Sequence, residues 1–154
     1  MAAEFEVTGA DDFLRLSKAL KAAGRTQMRK DLTNAMKKAA KPLIVETKAE
    51  ARRTLPQRGG LAKLVAKAPQ RVKVATGKDP GVSIVVSRSH GVRGADKGLI
   101  HHPVFGDRTD WKPQVVPSGW FERPLQAGAP LIRPELQKAL EHMLDRVVRE
   151  VGRG

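Results

Sequence analysis

The sequence predicts an α+β fold, a small antiparallel β-sheet packed against long N-terminal and C-terminal helices, in one domain spanning residues 1–154. Three observations predict it. Apolar residues recur every three to four positions across residues 26–54. Period-2 alternation replaces that pattern in the middle of the chain. Helical spacing then returns from about residue 130 to residue 151.

Each element has its own local reasons. Glu4-Phe-Glu-Val-Thr8 alternates polar and apolar, as a half-buried strand does, and Gly9 ends it. Asp11 or Asp12 can cap a helix over about residues 12–23, with Phe13, Leu16, Ala19, Leu20 and Ala23 as its stripe and Gly24 as its stop. Thr26 can cap a longer helix reaching Thr54, in which Pro42 predicts a kink or a break. Pro56 and Gly59-Gly60 close that segment, and residues 61–68 suit a short helix. Gln70–Ala75 and Val82–Ser87 alternate around a turn-rich connection and read as an antiparallel hairpin. Ser89–Gly98, with three glycines, reads as a mobile loop, and Leu99–Phe105 as the third strand of the same sheet. Asp107–Gly119 reads as a second, polar, mobile loop. Pro130 and Pro134 fit a helical first turn, after which Ile132, Leu136, Ala139, Leu140, Met143, Val147 and Val151 share a face.

The composition narrows the function classes. The chain has no cysteine and no tyrosine, and its formal net charge is +13. No run of apolar residues reaches the roughly 20 needed to span a bilayer, and the acidic, weakly apolar start does not resemble a secretory signal. More than half of the 29 Lys and Arg fall in residues 15–73, where Asp31, Glu46 and Glu50 are the only acids. Lys37, Lys38, Lys41, Arg52 and Arg53 form a candidate basic face for nucleic acid or another acidic surface; the plainer alternative is a solvated helix face. That region lacks the interleaved aromatics that stack single-stranded bases, so any contact with genomic DNA is expected to be non-specific.

No catalytic, metal or cofactor site is expected. His101 and His102 are adjacent, so in a strand they point to opposite faces and make a poor metal pair; one is expected packed and one exposed. Gly91-Val-Arg-Gly-Ala-Asp-Lys-Gly98 lacks the Gly-Lys-Ser/Thr ending of a phosphate loop. The aromatic residues instead suggest docking. Trp111 lies in a polar, Pro-containing segment and is expected at a contact; Trp120 is open between core and subunit contact, and Phe121 is expected in the core. The candidate interface set is Trp111, Trp120, His102, Phe105 and Arg93.

Three features in this order carry a family resemblance over about residues 10–150. They are the Ala/Lys/Arg-rich helix Thr33–Ala51, the strand end His102-Pro-Val-Phe-Gly106, and the aromatic-x-x-Pro step Phe121-Glu-Arg-Pro124. Arg58-Gly-Gly-Leu61 approximates a further arginine-glycine-x-leucine step. Together they resemble the neck or tail-completion proteins of long-tailed bacteriophages, the tail-component family that includes proteins like minor tail protein Z. The segment Asp107–Gly119 is longer than the simplest family pattern. The resemblance implies a non-enzymatic structural role at the virion head–tail junction, with assembly in the host cytoplasm. It implies a homo-oligomeric ring, a hexamer favoured, that contacts neighbouring neck, tail-terminator or tail-tube proteins. The alternatives are a tail-terminator ring capping the tail tube and, in another class, a basic DNA-binding accessory protein. No membrane partner is implied.

Overall fold

The computed structural model describes residues 2–4, 10–75, 81–86, 90–104 and 106–151. The class is α+β, as expected. Helix α1 (Ala10–Ala22) leads into α2 (Thr26–Thr54), and a 3-10 turn at Arg58–Gly60 leads into α3 (Leu61–Lys67). Strand β1 (Ala2–Glu4) joins β2 (Gln70–Ala75) and β3 (Gly81–Val86) in an antiparallel sheet of order β1-β3-β2. Helix α4 (His90–Lys97) precedes a second antiparallel sheet made of β4 (Leu99–Val104) and β5 (Asp107–Val115). Helix α5 (Glu122–Val151) follows.

Helix α1 stops where the sequence has Gly24, whose φ of 69° is the left-handed conformation that glycine adopts without steric penalty. The turn is closed by Gly24 N–H donating to Lys21 O at 3.1 Å and Arg25 N–H to Leu20 O at 2.8 Å. Helix α2 has the predicted bounds, but Thr26 is its first helical residue rather than its cap; Arg25 holds the capping position without a side-chain bond. The helix also runs through Pro42 unbroken. Pro42 is exposed, so the carbonyl it deprives of a partner can bond water, while Met36, Ala40, Leu43 and Thr47 on either side stay packed.

The core is centred on α2. Its stripe of Met28, Leu32, Met36, Ala40, Leu43, Thr47 and Ala51 is buried. On α5 the buried apolar side chains are Leu125, Ala129, Ile132, Leu136, Leu140 and Met143. The two helices run antiparallel along their lengths, marked by Arg123 Nη1 beside Glu50 Oε1 at 3.6 Å, Arg146 Nη1 beside Asp31 Oδ2 at 2.8 Å and Arg25 Nη1 beside Glu150 Oε2 at 3.1 Å. They pack tightly at Gly128, where an added Cβ would overlap Leu43 Cδ2. Helix α2 also lies against β2 and β3, whose Val82, Ile84 and Val86 are buried. Thr47 Oγ1 ties the two layers, 2.7 Å from the side-chain amide oxygen of Gln70.

Four expectations are corrected, and a fifth falls mostly outside the described residues. Leu99–Val104 is a strand but pairs with β5 in its own sheet, not with β3. Residues 90–97, read as a loop, form α4. Its glycines weaken intrinsic helix propensity, but Val92 and Ala95 are buried and tertiary packing wins. Asp107–Val115, also read as a loop, forms β5. Helix α5 starts at Glu122 rather than near 130, so Pro124 takes the first-turn position, while Pro130 and Pro134 sit inside on the exposed side. Last, the strand expected over Glu4–Thr8 overlaps β1 only at Glu4, and Phe5–Thr8 lie outside the described residues. No helix among the described residues is long and apolar enough to cross a membrane.

Candidate functional site

The aromatic step at the start of α5 is structural. Trp120 and Phe121 are both fully buried, with ring centroids 5.4 Å apart and planes tilted by 53°. Trp120 Nε1–H donates to Val92 O at 3.3 Å, which satisfies the indole inside the core. Trp120 is therefore corrected: it packs within its own chain and is not an interface anchor. Its position is set by Asp96 on α4. The Asp96 carboxylate accepts the N–H of Phe121 at 2.8 Å and of Glu122 at 3.3 Å, and its carbonyl accepts Gly119 N–H at 2.8 Å. The carboxylate thus occupies orphan donors at the first turn of α5, the place where negative charge is also favoured by the helix dipole. Sequence reasoning missed Asp96, because nothing local pairs it with a helix start 25 residues on.

The β4–β5 hairpin presents a different surface. Cross-strand partners are Leu99↔Val115, His101↔Pro113 and Pro103↔Trp111 on one face, alternating with Ile100↔Gln114 and His102↔Lys112 on the other. Only the base is anchored: Ile100 and Val116 are buried, and Val116 N–H donates to Gly98 O at 3.0 Å. Gly94 lets α4 close over this base, since a Cβ there would overlap the Leu99 carbonyl.

The first face is open and mainly apolar, with the exposed His101 at its middle. Leu99 is 43% exposed, Trp111 52% and Val115 82%. Trp111 Nε1–H donates to Arg108 O at 2.7 Å, so the indole has no unmet donor and offers an apolar ring. The second face is polar, with His102, Lys112 and Gln114 exposed and Lys112 Nζ 3.1 Å from Asp110 Oδ1. At the tip, the Asp107 carboxylate accepts the Thr109 hydroxyl at 2.7 Å and the Thr109 N–H at 2.8 Å, which hold it below the usual carboxylate range. Among the described residues β4 and β5 pair only with each other.

The remaining candidates separate. His101 and His102 are both exposed, against the expectation that one packs, because the outer hairpin has no layer over either face. Arg93 is exposed on α4, and Phe105 lies outside the described residues. Lys38, Lys41 and Arg52 are exposed on α2, and Lys37 is half-buried. Arg53 is corrected in role: it pairs with the buried Glu50, which also faces Arg123 of α5 at 3.6 Å. That guanidinium compensates a buried carboxylate rather than forming a free basic face. Among the described residues no group of three or more His, Asp or Glu side chains could hold a metal ion.

Comparison with family profiles, with characterised proteins and with solved structures finds no match to this chain.

Proposed function

We propose that the chain is a structural component of a bacteriophage head–tail junction, a ring-forming neck or tail-completion protein that helps join tail to head. The ordered motifs and the α+β build support this reading. The observation that carries it is the hairpin face of Leu99, Val115, Pro113 and Trp111 around His101, left exposed above the anchored base of the hairpin. A two-stranded hairpin is marginal alone, and an aromatic anchor ringed by polar residues is the pattern of an interface centre. In the proposal this face docks on the adjacent subunit, a head-to-tail contact that closes by rotation into a ring.

The test is assembly with folding held constant. Trp111→Ala and Val115→Asp are expected to melt like the parent chain, yet to reduce incorporation into virions and the yield of heads joined to tails. Normal joining with both variants would remove the proposal.

A further inference from the structure

The second open surface lies on the opposite side of α2 from its packed stripe. At 3.6 residues per turn, Lys30, Lys37, Lys38, Lys41, Lys48 and Arg52 fall in one stripe about 100° wide along the helix, with Asn34 and Val45 between them. None of the six takes part in an ion pair among the described residues. The acids of α2 do not neutralise this stripe: Glu50 is buried and paired, Asp31 at its edge is held by Arg146, and Glu46 stands on the flank. From Lys30 to Arg52 the stripe is about 33 Å long at 1.5 Å per residue.

We infer that this outer ridge of α2 binds the phosphate backbone of double-stranded DNA without regard to sequence. A positive stripe of about 33 Å spans roughly one turn of the duplex, which is about 34–36 Å. The flexible lysines that dominate it suit point-charge contact with phosphates rather than bidentate reading of base edges. Single-stranded nucleic acid is disfavoured, because the ridge has no aromatic platform. An anionic membrane is disfavoured because the apolar face of α2, the part that would enter lipid, is buried in the core, leaving Val45 alone on the ridge. The inference stands on α2 and does not require the ring: hairpin variants are expected to keep it.

The salt dependence of binding provides the test. Three to six phosphate contacts give a slope of log K against log salt of about −2.7 to −5.4. Anisotropy of a labelled duplex of about 25 base pairs, titrated with the full chain across a salt series, reads that slope. Neutralising Lys37, Lys38 and Lys41 to Gln is expected to make it shallower by up to about 2.7 and to weaken binding at low salt. A second triple, Lys30, Lys48 and Arg52 to Gln, should act alike. A control triple on α5, Arg133, Lys138 and Arg149 to Gln, removes the same formal charge and should change the slope far less. All three should keep the parent's circular dichroism spectrum and melt, since the positions are exposed or half-buried. Equal effects from ridge and control triples, no duplex binding at low salt, or tighter binding to a single strand or to phosphatidylserine vesicles would each overturn the inference. Loss of duplex binding in Trp111→Ala would likewise overturn the independence of the two surfaces.

Discussion

The α2–α5 pair and the β4–β5 hairpin handle apolar side chains in opposite ways. Between the helices Leu32, Met36, Leu43, Leu136 and Leu140 are buried, and the approach is tight enough that a Cβ at position 128 would displace the Leu43 side chain. On the hairpin Trp111 and Val115 are left open, and only the base is tied to the body. The first arrangement stabilises the fold. The second contributes little to it, so its apolar residues are available to a partner. Substitutions that destroy folding should therefore cluster in the first region, and those that spare folding but alter association in the second.

The largest effect is expected at the junction of α4 and α5. Trp120→Ala removes a fully buried indole, and about 3–5 kcal/mol of stability should be lost in urea denaturation. Leu140→Ala should follow at about 2–5 kcal/mol. Gly128→Ala tests the helix contact itself: Leu43 must shift, and overpacking of this kind costs about 1–3 kcal/mol. A smaller loss is expected from Asp96→Ala, about 0.5–2 kcal/mol as for other cap deletions, with Asp96→Asn retaining much of the stability. An Asp96→Ala melt equal to the parent's would mean that α5 needs no help from α4 at its start.

The helical pair was legible in the sequence because each helix buries a single face. That produces an unbroken 3.6-residue pattern, and α2 has the expected bounds. Strands β2 and β3 were legible for the same reason at period 2, with Val82, Ile84 and Val86 facing inward. Helix α4 was not: Gly91, Gly94 and Gly98 are the residues of a loop, and what makes the segment helical is Trp120 beneath Val92, a contact 28 residues away in the chain. Strand β5 was missed although Asp110–Val115 alternates polar and apolar, because Pro113 within the run and the polar residues 107–110 before it carry the marks of a loop. The candidate site was half visible. Trp111 stood out as an aromatic in a polar segment, whereas the burial of Trp120 and the pairing of Arg53 depend on partners that only the fold supplies.

The weakest link between the helices is electrostatic and tests the comparison from the acid side. Hydrogen bonds from Arg146 and Gln27 and the nearby positive charge of Arg146 hold the Asp31 carboxyl below its ordinary range. Arg146, bonded to Asp31 and Glu150, is held above its own. Because the folded carboxyl titrates lower than the unfolded one, its contribution is fully present above the ordinary carboxylate range and is lost as pH falls through the folded value. Both side chains are half-buried but reach solvent, so solvent screening keeps the effect small. Asp31→Asn should flatten the acid limb of a stability–pH curve slightly; an unchanged limb would place the acid sensitivity elsewhere.

The most direct test of the division between fold and assembly surface is the mass of the purified chain in solution, by sedimentation velocity, for the parent and for Trp111→Ala, beside a thermal melt of each. The account predicts a closed oligomer for the parent, a shift to the monomer for Trp111→Ala, and melts of the dissociated chains within about 0.5 kcal/mol of each other, as for other surface substitutions. An oligomer of the same mass in both, or a Trp111→Ala chain that no longer folds, would contradict it.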